Sequence, residues 1–257
     1  MKQETAAWRR PLAFVWRYRR GLGEMLIVFA VMLLYYGTRG MAIGQQDTAI
    51  ANAHAVIDIE SRLGIFREPA INGWVVDHRL AVLVLNWIYT YLHLPVLIAF
   101  AIWVYLRRPT QYAAIRNAFL VSAVVGLAMY ALYPCAPPRF IPGYGFTDTL
   151  ADYSAISYEM HSIQLFYNPY AAIPSLHFGW SLLVGIGLCW LGRNAFMRAI
   201  GIVLPAVMLI AIIGTANHFF FDAIAGSLVM GFGLLIGFWS RLVDVWNGRE
   251  VLYDSRQ

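Results

Sequence analysis

The sequence predicts an all-α fold: a polytopic membrane bundle of six transmembrane helices, with extracytoplasmic surface helices and loops between spans 1 and 2 and between spans 3 and 4. Two observations carry this. First, the 257 residues are 60% hydrophobic, 15% aromatic and only 13% charged, whereas a soluble globule carries about 25% charged residues. Second, apolar runs of spanning length recur along the chain and are flanked by short clusters of arginine, the pattern that sets the orientation of spans. The net charge of +5 does not point to nucleic acid, because the basic residues sit beside apolar runs and form no continuous basic face. Cys135 and Cys189 are too few and too separate for a disulfide framework or a zinc site.

Residues 1–21 form a basic, aromatic N-terminal segment containing Arg9, Arg10, Arg17, Arg19 and Arg20. A first span follows at about Leu22–Ile43, with Glu24 and Arg39 expected to reach opposite interfaces. No small-x-small cleavage site closely follows Met25–Tyr36, so the segment reads as a retained span and not as a signal peptide. In residues 44–79, Ala49, Ile50, Ala53, Val56 and Ile57 recur at helical spacing opposite Asn52, Asp58 and Glu60, which predicts a short helix lying on the membrane surface. Leu80–Leu106 is one span, because at 1.5 Å per residue it reaches about 40 Å; a tilt or a kink near Pro95 accommodates the excess. Arg107, Arg108 and Arg116 close it, and Asn117–Tyr133 is the third span.

The connection from Pro134 to Ile173 is the longest in the membrane core and is rich in tyrosine and phenylalanine. Loops of this length in compact domains tend to be functional. The later spans are expected at Pro174–Leu191, Ala199–Ala216 and Asn217–Trp239. Pro174 suits a first helical turn, and Gly226, Gly231, Gly233 and Gly237 suit close helix packing. Residues 22–79 thus hold the first span and a surface segment, 80–240 the membrane core, and 241–257 a tail. With both termini cytoplasmic, fourteen of the nineteen basic residues fall on the cytoplasmic side, as the positive-inside rule requires. The long loop, the start of the fourth span and the junction of the last two spans then face away from the cytoplasm, in a multi-pass protein of the cell membrane.

Two segments on that face carry chemistry. Tyr170 to His177 leads from irregular chain into a helix whose first N–H groups offer an anion site, with Ser175 and His177 at its mouth. His218 and Asp222 lie four residues apart and share a helix face, so Asp222 can accept from one ring nitrogen and leave the other as a nucleophile. Arg139 falls at the outer end of the third span. Singly, each has an ordinary explanation as a cap, a contact or an interfacial anchor; it is their placement on one face that points to a site. Of the other histidines, His54, His78 and His161 lack such partners, and His93 reads as a satisfied packing residue. Asp148 reads as a loop-capping residue or a substrate contact. Asn217 and Tyr170 are further candidate contacts.

Pro174-Ser175-Leu176-His177, followed by His218-x-x-x-Asp222, resembles the type 2 phosphatidic acid phosphatase superfamily, whose usual patterns are Pro-Ser-Gly-His and Ser-Arg-x₅-His-x₃-Asp. Leu176 in place of glycine, the Pro-Pro-Arg139 element and Asn217-His218 resemble its inositol phosphorylceramide synthase branch, the aureobasidin-target proteins. The resemblance covers about residues 80–240. It implies that His218 attacks phosphorus, that Asp222 orients it, and that His177 protonates the leaving oxygen and then activates water or an alcohol. Ser175 and Arg139 would hold the phosphate oxygens, and no metal or other cofactor is implied. The sequence departs from the wider pattern at Ile212, where an arginine is usual, and in lacking the lysine-containing first motif. Fewer cations favour a phosphodiester over a monoester.

The expected function is therefore lipid phosphatase or phosphotransferase chemistry on a lipid-linked phosphate, with water, a polyol such as inositol, or a sugar as acceptor, membrane lipids around it and no nucleic-acid partner. Two other classes stay open. One is a metal-dependent hydrolase with His177, His218 and Asp222 as ligands; the other is a non-enzymatic lipid-binding or transport protein, although no inverted repeat is evident.

Overall fold

The computed structural model describes residues 23–24, 26–27, 29–31, 33, 45–153, 168–239 and 243. The chain divides into two compact units, Met1–Gly37 and Thr38–Gln257. In the first, the described positions between 23 and 33 are helical. Most of the expected first span, the basic N-terminus, His161 and nearly all of the tail lie outside the described residues.

The second unit is helical, with no strand among the described residues. Its helices are α1 (Gln46–Arg62), α2 (Glu68–Val76), α3 (Arg79–Arg107, with a π-helical turn at Ile88–Leu92), α4 (Pro109–Leu132), the short α5 (Thr149–Tyr153), α6 (Leu176–Leu191), α7 (Ala195–Gly214) and α8 (Phe220–Gly237). Helices α3, α4, α7 and α8 are long and apolar enough to cross a membrane, and α6 is a shorter apolar helix. Large apolar side chains such as Leu94, Ile98 and Ile102 on α3, Ile202 and Ile210 on α7, and Leu228 and Phe232 on α8 are exposed. Outward apolar faces of this extent suit contact with lipid. Between the helices, Leu97, Phe100 and Val104 of α3, Ile115 and Ala118 of α4, Leu183, Val184 and Leu191 of α6, and Met230 of α8 form one buried cluster.

Several expected boundaries move. The helix expected to begin at Asn117 begins at Pro109. Arg116 does not end a span; it lies inside α4, with its guanidinium over the Tyr112 ring, as a long side chain can when its stem covers apolar surface. Pro174 precedes α6, across a cis Ile173–Pro174 peptide bond, and Ser175 takes the N-cap position. The fifth expected span begins earlier, at Ala195, where the Asn194 side chain accepts from Met197 N. In the second, the irregularity falls at Ile88–Leu92 and not at Pro95.

The largest correction concerns residues 44–79. From residue 45 on they form two helices, α1 and α2, and the apolar face of α1 is docked on protein. Ala49, Ala53, Val56 and Ile57 pack with Cys135, Ala136, Ile141, Ala172, Ile173 and Phe219. Asn52 donates to Pro134 O at 2.8 Å and Ala136 N donates to Ala49 O at 3.0 Å. Glu60, expected on the polar face, is completely buried. The loop after α4 is fixed from the same side: the Asn72 amide exchanges hydrogen bonds with Gly214 O and Thr147 N, and Asn86 pairs with Thr149.

Candidate active site

The C-terminal ends of α4 and α7 and the N-terminal ends of α6 and α8 meet at one end of the bundle. The chain can converge there because α6 and α8 approach closely. A methyl group at Gly226 would collide with the carbonyl oxygen of Ser175, and one at Gly179 would lie 2.8 Å from Gly226 O. The absence of side chains at both positions allows Ser175 N to donate to Asp222 O at 2.9 Å. Tyr130 of α4 adds a hydrogen bond from its hydroxyl to Pro174 O at 2.8 Å.

His218 sits in the turn between α7 and α8. That turn uses Ala216 in the left-handed region, at φ 53°, a conformation that costs a non-glycine residue energy and is found where neighbours enforce it. Arg139 N donates to Ala216 O at 3.0 Å, and the N–H groups of Asn217 and His218 both reach Ile212 O. His218 Nδ1 lies 3.0 Å from Ala172 O and 3.1 Å from Asp222 Oδ2. A carbonyl oxygen only accepts, so Nδ1 carries the hydrogen and Nε2 keeps its lone pair. The His218 ring is buried and Asp222 fully so.

His177, the second residue of α6, faces this group with 6.2 Å between ring centroids. Its own ring packs on Tyr89, at 4.5 Å and 25°, and on His93, at 4.7 Å and 43°. Both come from the part of α3 that contains the π-helical turn, an irregularity that recurs near functional sites. His93 is not the satisfied packing residue expected: its Nε2 is buried without a hydrogen-bond partner among the described residues, and its ring runs nearly parallel to Trp180 at 6.0 Å. Ser175 Oγ accepts from Phe178 N at 3.4 Å and so caps α6.

Arg139 reaches the same place from the short helical turn Pro138–Phe140. Its Nη1 donates to Asn217 Oδ1, its Nε pairs with Asp148 Oδ2 at 3.4 Å, and its guanidinium lies 4.7 Å from the Phe140 ring centroid. The charge is near enough to act on the His218 ring. Asp148 and Asn217 are both engaged within the protein. Asp148 Oδ1 accepts from Leu150 N and Ala151 N at the start of α5, and Asn217 Nδ2 donates to Thr215 Oγ1 at 2.6 Å. Tyr170 lies a few residues before α6; its ring packs on the cluster beneath α1 and its carbonyl accepts from Cys135 N.

Residues singled out in the sequence thus converge: Arg139, Asp148, Ser175, His177, Asn217, His218 and Asp222. Tyr89 and Glu68 carry no signal in the sequence, His93 reads there as a satisfied packing residue, and Glu60 as part of a polar face. An ionisable residue inside an apolar span was the available signal for His93. Glu60 and Glu68 had no local signal, because their partners are backbone N–H groups distant in sequence.

A helical membrane protein with two facing histidines, one of them held by a carboxylate, is the class that this fold and site define. Residues 54–236 match the family model of the PAP2 superfamily, and the chain belongs to that superfamily. It is also similar to a phosphoinositol dihydroceramide synthase of Bacteroides thetaiotaomicron, with 27% identity over 175 residues, covering 61% of this chain and 54% of that protein. The chain therefore spans about half the length of the curated relative it matches. No solved structure matches it.

Proposed function

We propose that the protein is a lipid phosphatase or phosphotransferase that forms a phosphohistidine at His218, on the extracytoplasmic face of the cell membrane. The observation that carries the reading is the hold on His218 Nδ1 by Ala172 O and Asp222 Oδ2, which leaves Nε2 as a lone-pair nucleophile. Nε2 attacks phosphorus, and the bond from phosphorus to the leaving alcohol oxygen breaks. A ring nitrogen of His177 gives that oxygen its proton. The neutralised His177 then takes the proton of the incoming hydroxyl, whose oxygen attacks phosphorus and frees His218. Arg139 and the N–H groups at the start of α6 stabilise the phosphate oxygens as charge develops.

The charge balance favours a phosphodiester donor. Arg139 is shared with Asp148, and a singly charged diester needs less neutralisation than a doubly charged monoester. The name of the Bacteroides relative supports head-group transfer, with phosphoinositol as the group to test first. A lipid-binding or transport role would leave the hold on His218 without a purpose.

The test is single-turnover labelling with a lipid carrying radioactive phosphorus, quenched in alkali, where phosphohistidine survives. Label should appear on the wild-type protein and be absent in His218→Ala, and in His177→Ala both its appearance and its loss should slow. Full turnover in His218→Ala would overturn the mechanism. Mass spectrometry of products made with water, inositol, sugar or lipid-alcohol acceptors decides between hydrolysis and transfer.

A further inference from the structure

The N-terminus of α8 is held in an unusual way. The first N–H groups of a helix have no partner within it and are generally met by one local side chain or by water. Here three successive N–H groups each have a carboxyl oxygen. Phe219 N donates to Asp222 Oδ2 at 2.9 Å, Phe220 N to Glu68 Oε1 at 2.9 Å and Phe221 N to Glu60 Oε1 at 2.6 Å. Asp222 is local, but the two glutamates come from the end of α1 and the start of α2, 161 and 152 residues away in sequence. All three carboxyl groups are completely buried.

The Glu60 and Glu68 carboxyl groups take neighbouring N–H groups of the same helix start and lie close enough to act on each other. Two buried carboxylates this close repel each other, and one proton held between them removes the repulsion. Their Oε2 atoms are buried with no hydrogen-bond partner among the described residues, and a proton held between them would satisfy both. Burial, first, and the Glu68 carboxyl, second, push Glu60 up to about 9, far above an ordinary carboxylic acid. Among the described residues, Asp222 on α8 acts on both glutamates, with His218 bonded behind it, and Cys135 faces Asp222 from the loop after α4.

We propose that Glu60 and Glu68 form a single proton-sharing clamp whose members are positioning residues. The clamp fixes the start of α8, and through it the His218–Asp222 pair, in the geometry for reaction. This rests on the reading of His218 as nucleophile. In the protonated pair one negative charge faces the positive end of the helix dipole. Loss of the shared proton sets two buried carboxylates against each other and against Asp222, so the clamp opens and the His218 ring loses its orientation.

The experiment uses the full chain in detergent and compares Glu60→Gln, Glu60→Ala, Glu68→Ala and His218→Ala. Glutamine keeps the Oε1 acceptor for Phe221 N and supplies an amide hydrogen in place of the shared proton. Glu60→Gln should therefore stay within about 3-fold of wild-type kcat at pH 7 and keep its activity further into alkali than the wild-type protein. The alanine variants should lose about 10²-fold in kcat, the cost of a misplacement of about 1 Å, with KM little changed. Size-exclusion profiles check folding; should the alanine variants fail to fold, the alkaline limb of Glu60→Gln decides alone. An alkaline limb in Glu60→Gln identical to the wild type, or full kcat in a folded Glu60→Ala protein, overturns the clamp. Full activity in His218→Ala would instead overturn the reading on which it rests.

Discussion

The backbone N–H of Ser175 donates to the carbonyl oxygen of Asp222 at 2.9 Å. This one bond joins the helix that presents His177 to the helix that holds His218, so the distance between the two rings is set by main chain and not by side-chain packing alone.

That bond depends on an empty position. Gly226→Ala places a methyl group against Ser175 O, and neither partner can move aside without shifting a helix. The expected outcome is a loss of about 1–3 kcal/mol, typical of overpacking, with a fall in kcat. Gly231→Ala is the control: among the described residues nothing lies within 4 Å of a side chain there, and the substitution should be neutral or stabilising by up to about 1 kcal/mol. Chemical denaturation in detergent and turnover of the two proteins check this. Equal behaviour would mean that α6 and α8 do not need this approach.

Arg139 is oriented by Asn217 on one side and Asp148 on the other. Lysine cannot serve both with a planar fork, so Arg139→Lys should lower kcat/KM by about 10²–10³-fold, as loss of one oxyanion donor does. Asp148→Asn keeps the oxygen that accepts from Leu150 N and Ala151 N and removes only the charge. Its kcat/KM should fall by about 10-fold or less. A loss as deep as that of Arg139→Lys would instead place Asp148 in direct contact with substrate.

Stability should depend on pH through Glu60. Its ordinary value is 4.5 and the folded value is about 9, so between these limits the folded protein keeps a proton that the unfolded chain has released. The stabilisation is complete below about pH 4.5 and declines as pH rises towards 9. Glu60→Gln has no such proton, and its denaturation midpoint should be flatter over that window. Parallel curves for the two proteins from pH 5 to 9 would show that the group is ionised in the fold.

The helical class and the late motifs were legible because their signals are local. The apolar runs that become α3, α7 and α8 are long, and the His218–Asp222 contact follows from a spacing of four on one turn. Boundaries were less so. Arg116 reads as the edge of a span, yet it lies within α4 because its stem can cover apolar surface while its charged end rests on Tyr112. Pro174 reads as a first-turn residue, but the adjacent Ser175 has the oxygen that caps the helix. Glu60 was misread for a deeper reason: on an amphipathic pattern a charged residue marks the wet face, and nothing near residue 60 indicates that its acceptor oxygen belongs to Phe221 N. The π-helical turn that brings Tyr89 and His93 against His177 likewise has no local sequence signature.

The two glutamates at the start of α8 also fix its register. They take the consecutive N–H groups of Phe220 and Phe221, so the chain cannot slip by one residue without mismatching both bonds at once. Glu60 and Glu68 thus act as a template against which α8 is aligned from outside, and the spacing between His218 and that template cannot absorb an insertion or a deletion.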